Sequence, residues 1–281
     1  MDDRPTHSTG AQSRPELAER AIGIFDSGVG GLTVAKEIYH ALPNESTVYL
    51  GDTARVPYGT RSKETVVRFA TQDARFLVER EVKAIVIACN TASALAKDEL
   101  ERLIDLPLFN VIVPAVLEAY KVTRNGRIGV IGTAGTIGSG THERLLKTLD
   151  KELKVVAIAC PLLVPLVEDG RLKGPLIESV IAEYLRPMRE AGIDTLILGC
   201  THYPLLKDII VDYLYEQVKL IDPGEAVAKE VAQELGKRGL ATGRKRAERG
   251  FFVTDDSESF RKTAEQFLGE PIENLARVDL P

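Results

Sequence analysis

Apolar positions in this chain fall into two alternating patterns. Short unbroken runs, such as Ile85-Val86-Ile87-Ala88-Cys89 and Leu196-Ile197-Leu198-Gly199-Cys200, each give way to small and polar residues. Between them lie longer amphipathic segments, such as the one with Leu32, Ala35, Ile38 and Tyr39 at helical spacing. Unbroken runs read as strands buried on both faces, as in a parallel sheet, and the amphipathic segments read as the helices covering it. Strand and helix alternate throughout, which predicts right-handed βαβ units.

The pattern predicts strands at 21–25 and 47–51, one ending at Cys89, and others at 108–113, 127–131, 154–159, one ending at Cys200, 218–221 and 251–254. Helices are expected from Ser62 to Glu79, to Ile104, from Pro114, to Leu149, over 175–191, to Gln217, over 223–237 and to Leu268. Pro187 should kink or split the helix that contains it. Asp222 and Pro223 supply an N-cap and a proline at the first helical position. Residues 1–20 are polar and carry prolines, and read as a disordered extension.

The strand–loop–helix series runs twice, with loops at matching offsets. Asp26 and Thr133 lie 107 residues apart, Pro57 and Pro165 108, and Cys89 and Cys200 111. Duplication predicts two similar α/β domains with mostly parallel sheets, related by a pseudo-two-fold axis. Ligand sites in such sheets form at the carboxyl ends of strands, so the active site would lie in the cleft between the domains. Chance likeness of two α/β units is the alternative, since identity between the halves is slight.

Composition narrows the class. At 281 residues, 44% hydrophobic and 27% charged, the chain is of globular type. A net charge of -5 gives no basic footprint for nucleic acid, and Arg244-Lys245-Arg246 reads as a solvated loop. No run approaches the ~18 apolar residues of a membrane span, and the N-terminus lacks a signal-peptide core. Three cysteines without CxxC spacing argue against a disulfide framework and a four-ligand zinc site, with a cytoplasmic location as the default. The sequon at Asn44 is then without meaning. No metal cluster and no pyridoxal lysine motif is visible.

The candidate chemistry sits in the loops. A thiol at a helix N-terminus can take or give a proton. Cys89 and Cys200, facing one ligand carbon from two sides, would remove a hydrogen from one face and return another to the opposite face. Both also read as small buried hydrophobes, the commoner fate of a free cysteine and the reading that fits Cys160. Asp26-Ser27-Gly28-Val29-Gly30-Gly31 offers a carboxylate, a hydroxyl and backbone N–H groups, or simply a capped glycine turn. Dinucleotide binding fails on spacing, because Thr33 stands where GxGxxG needs glycine. His202 and Glu168 could relay protons to Cys200 or lie on the surface. His7, His40 and His142 read as solvated.

Asp26 to Gly31, Pro57-Tyr58-Gly59, Cys89-Asn90-Thr91-Ala92-Ser93 and Gly199-Cys200-Thr201-His202-Tyr203-Pro204 together resemble the glutamate racemases of bacterial wall synthesis, a branch of the aspartate/glutamate racemase superfamily. The likeness spans about 22–268. It implies cofactor-independent two-base racemisation of glutamate, with Cys89 and Cys200 as the acid/base pair. Asp26 would assist Cys89, and His202 with Glu168 would assist Cys200. Asp26, Ser27, Pro57, Tyr58, Gly59, Asn90, Thr91, Thr133, Thr136, Thr201 and His202 would hold the substrate. The resemblance also implies that 222–281 completes a first domain of 21–113, leaving 114–221 as the second, and that the protein forms a homodimer. A racemase of another acidic amino acid, such as aspartate, and a non-catalytic ligand-binding module are the rival readings.

Overall fold

The computed structural model describes residues 14–215 and 217–281. Among the described residues, ten strands form two all-parallel sheets. β1 (Ile22–Asp26), β2 (Thr47–Gly51), β3 (Ala84–Ile87), β4 (Leu108–Asn110), β9 (Arg249–Val253) and β10 (Leu275–Arg277) make the first. β5 (Arg127–Gly132), β6 (Lys154–Ala159), β7 (Thr195–Gly199) and β8 (Lys219–Ile221) make the second. The orders are β10-β9-β2-β1-β3-β4 and β6-β5-β7-β8. Four adjacent strands in each sheet therefore share one order, second–first–third–fourth, and Cys89 and Cys200 follow the third strand of their own sheets. The repeated offsets in the chain correspond to a repeated topology.

The inner strands β1, β3 and β7 are buried along their whole length, as unbroken apolar runs require, while β6 at the sheet edge is only partly covered. After β8 the chain crosses back to the first sheet. Asp222 accepts from the Gly224 N–H at 2.7 Å and starts the helix Pro223–Arg238, which packs on both Leu32–Ala41 and Ile112–Val122.

Several expectations are corrected. Residues 14–20 are not a disordered lead-in: Arg14–Ala18 is a short helix, and the Ala18 carbonyl accepts from the buried Lys83 Nζ at 2.6 Å. The rest of that segment lies outside the described residues, as does His7. Pro187 does not split Pro175–Glu190; it stands in the last turn, where one backbone bond is lost while Leu185 and Met188 stay buried. β4 stops at Asn110, whose Oδ1 accepts from the N–H groups of Ile112 and Val113, both at 3.1 Å. The next helix thus begins at Ile112, ahead of Pro114. The helix expected to reach Leu149 breaks at Gly140, which adopts a left-handed φ of 65°. The apolar run after Cys160 coils into the helix Leu163–Glu168, and β10 adds a strand too short to read from its pattern. His142 is buried rather than solvated, whereas His40 is exposed.

Candidate active site

Every strand of the repeated core except the fourth of each unit, β4 and β8, sends its carboxyl-end loop to one cavity. Ser27 follows β1, Val56 to Gly59 follow β2, and Cys89, Asn90 and Thr91 follow β3. From the second sheet come Thr133 after β5, Val164 after β6, and Cys200, Thr201 and His202 after β7. Both cysteines line the same cavity, one from each sheet. This is the carboxyl-edge crevice where open α/β sheets bind ligands.

Cys89 is the N-cap of the helix Asn90–Leu95: its Sγ accepts from the Ala92 N–H at 3.5 Å and lies 3.8 Å from the Ser27 hydroxyl. Burial pushes its thiol up to about 12, helped by the negative charge of Asp26 and opposed by the Ala92 and Ser27 contacts. Asp26 stands behind it, nearly inaccessible. Its Oδ2 accepts from the Gly28 N–H at 3.0 Å, and its Oδ1 has no partner. Burial raises this carboxyl to about 6 against the pull of the His202 charge and the Gly28 and Gly31 N–H groups.

The other sulfur has a different neighbour. Cys200 Sγ lies 3.8 Å from His202 Nδ1, and His202 Nε2 lies 2.9 Å from Glu168 Oε1. Burial opposes a charged imidazole here, but the hydrogen bonds and charges of Cys200 and Glu168 outweigh it and carry His202 up to about 10. Cys89 is thus paired with a carboxyl and Cys200 with an imidazolium that a second carboxylate holds.

The remaining candidates divide. Ser27, Pro57, Tyr58, Gly59, Asn90, Thr91, Thr133 and Thr201 line the cavity, and Val56 and Val164 join them. The buried Asn90 amide leaves both Nδ2 and Oδ1 unpartnered, which suits a polar ligand. Asp26, Glu168 and Thr136 do not reach the lining. Thr136 is fully buried and closes a hydroxyl triangle with Thr91 and Thr133 at 2.9–3.1 Å. The Tyr58 hydroxyl turns away from the cavity to Asp52 and Asp73. Cys160 has no access at all and packs in the apolar core.

Contacts across the cleft need small residues. A Cβ on Gly30 would sit 2.3 Å from Thr201 Oγ1 and 2.5 Å from the His202 ring, and one on Gly59 would sit 2.6 Å from Thr133 Cβ. Thr33 Oγ1 reaches across to the Thr201 carbonyl at 2.8 Å. Asp73 was not among the residues singled out from the sequence. Its signal is an aspartate within the apolar stripe Val66, Ala70, Ala74, Leu77 of an amphipathic helix.

The profile of the Asp/Glu/hydantoin racemases matches residues 25–231, and the chain belongs to that family. A glutamate racemase of Geobacter metallireducens is 49% identical over 93% of this chain and 97% of its own. The crystal structure of a Bacillus anthracis glutamate racemase superposes with a TM-score of 0.90 at 44% identity, covering 93% of this chain and 98% of that one. A Francisella tularensis glutamate racemase, solved in complex with D-glutamate, gives 0.89 at 41% over 94% and 98%. Within the family the chain therefore falls among the glutamate racemases, enzymes of the isomerase class. Among the described residues, no helix is long and apolar enough to cross a membrane.

Proposed function

We propose that the protein interconverts L- and D-glutamate by moving a proton through Cα between Cys89 and Cys200, without a cofactor. The observation that carries this reading is a thiol from each sheet on one cavity, each with its own titrating partner. A two-base transfer needs one sulfur to start with its hydrogen and the other without. Cys89, whose proton is tightly held, starts as the acid, and Cys200, facing the His202 imidazolium, starts as the base. One turnover exchanges these states. Asp26 then assists Cys89, while Glu168 fixes the His202 ring and its charge.

In the same reading, Asn90, Ser27, Thr91, Thr133 and Thr201 hold the substrate's charged groups, and the N–H groups at the loop ends stabilise the carbanion. D-Glutamate bound to the Francisella tularensis relative supports this substrate. We further assign 21–113 with 222–281 to one lobe and 114–221 to the other, and place the product in cytoplasmic supply of D-glutamate for peptidoglycan, made by a homodimer.

The test follows each glutamate enantiomer in deuterated water. Solvent label should enter the product ahead of the recovered substrate in both directions. Equal labelling of both from the start would indicate a single shared base and overturn the two-thiol assignment. The same assay with aspartate separates the rival substrate.

A further inference from the structure

Beneath the Val56 to Gly59 wall of the cavity lies a buried polar cluster that the transfer between sulfurs does not use. Asp52 follows β2, and Asp73 comes from the helix Lys63–Glu79; both are fully buried. The Tyr58 hydroxyl touches both, at 2.8 Å from Asp73 Oδ2 and closer still to Asp52 Oδ2. Arg55 donates from Nε to Asp52 Oδ2 at 2.7 Å and from Nη2 to Asp73 Oδ1 at 3.0 Å. Thr254 donates to Asp52 Oδ1 at 2.9 Å and accepts from the Ala54 N–H at 2.9 Å. The Phe69 ring covers the Arg55 guanidinium at 4.3 Å.

Counting hydrogens resolves the cluster. Two ionised carboxylates around one guanidinium would bury a net negative charge, which is costly without a further cation. Tyr58 has one hydroxyl hydrogen and two carboxyl oxygens within reach. Asp52 already receives Arg55 and Thr254, the surroundings of an ionised carboxylate, and Asp73 receives only Arg55. We infer that Asp73 keeps its proton and donates it to the Tyr58 oxygen, that Tyr58 donates in turn to ionised Asp52, and that this neutral chain positions the Pro57–Gly59 wall against the substrate.

Burial and the charges of Asp52 and Asp26 hold the Asp73 carboxyl well above its ordinary range, in keeping with that count. Asp73 is a positioning residue, acting through Tyr58. The wall it holds runs close to the Thr133 loop of the other sheet, where even a Cβ on Gly59 would come within 2.6 Å of Thr133 Cβ, so the place of Tyr58 bears on how the two sides of the cavity meet. The inference rests on the wall belonging to the substrate cavity of the proposed racemase.

The test compares three variants. Asp73→Ala removes the donor to Tyr58 and is expected to raise KM for glutamate about tenfold, with a smaller change in kcat. Asp73→Asn restores the chain, since its Oδ1 can accept from Arg55 and its amide can donate to Tyr58; KM should return to within about twofold of the parent. Asp52→Asn sets a donor against Arg55, Tyr58 or Thr254 and should lose at least as much as Asp73→Ala. Failure of Asp73→Asn to rescue, or a milder Asp52→Asn than Asp73→Asn, overturns the assignment.

Because Asp52→Asn can fail to fold, the infrared carbonyl stretch of a protonated carboxyl gives a second readout at about pH 8, where Asp26 has lost its proton. The band should be present in the parent and missing from Asp73→Asn, and its persistence there overturns the inference. The band can be read without glutamate turnover. An inactive parent protein would therefore count against the proposed function alone.

Discussion

The two flanks of the cleft use one scaffold for opposite electrostatic ends. Each places a cysteine just past the third strand of a second–first–third–fourth parallel unit, on a loop bordering the same cavity. Cys89 has a buried carboxyl for a neighbour, and Cys200 has an imidazole tied to Glu168. A repeated backbone therefore does not carry repeated chemistry. The strand–loop junction sets where a thiol stands, and residues brought from other loops decide whether it meets a negative or a positive group. In the proposed transfer one thiol holds a hydrogen while the other lacks it, and the unlike neighbours favour one of the two arrangements over the other.

The strongest way to break the comparison is to remove either sulfur. Cys89→Ser and Cys200→Ser should each lower kcat by about 10³-fold or more in a polarimetric assay while leaving the unfolding midpoint near that of the parent. Serine keeps a cap oxygen for the Ala92 N–H, so folding is not the cause of the loss. Full activity in either variant would reduce the pair to a single working thiol.

Gly30→Ala strikes the Cys200 flank by shape alone. The new methyl would sit 2.3 Å from Thr201 Oγ1 and 2.5 Å from the His202 ring, so the Gly30 loop and the Thr201–His202 loop must shift against each other. A loss of about 10²-fold in kcat/KM is expected, of the size that misplacing a catalytic group by about 1 Å produces.

The titrating partners sharpen the comparison through pH. Asp26 is ionised above about 6 and His202 stays charged up to about 10, so kcat/KM should rise through the first value and fall through the second. Asp26→Asn should erase the lower limb and His202→Asn the upper, with losses of about 10- to 100-fold at pH 8. Because enantiomers have equal free energy, kcat/KM stays equal in the two directions. The difference between the flanks should instead show in the ratio of the two kcat values, shifted in opposite senses by the two variants.

Stability follows the same signs. His202, raised from its ordinary 6.5, adds stability that is fully present below 6.5 and is lost as pH rises through about 10. Urea unfolding of the parent should weaken between those values more than that of His202→Asn. Raised Asp26 favours the folded state while protonated, and that contribution fades between 3.8 and about 6.

The smallest effect belongs to the third cysteine. Cys160 sits in the apolar core with its Sγ 3.6 Å from the Ile158 carbonyl, and burial pushes its thiol up to about 12. Cys160→Ala should cost about 1 kcal/mol of stability by denaturant titration and leave racemisation unchanged.

Local pattern was enough for the strands, the parallel class, the carboxyl-edge loops and the cysteines at their ends. Buried parallel strands write themselves as unbroken apolar runs, and the polar residues after them mark the ligand edge. The spacing of those loops also carried the repeated strand order. What it did not carry is which polar groups meet. Asp73 and Tyr58 are 15 residues apart, Glu168 and His202 34, and Thr254 and Asp52 202. The burial of His142, the helix that presents Glu168 and the added strand β10 were likewise decided by packing between distant segments. Periodicity reports which face of an element is covered. The partner of a buried charge, and hence which atom keeps the proton, exists only once the two sheets have closed around it.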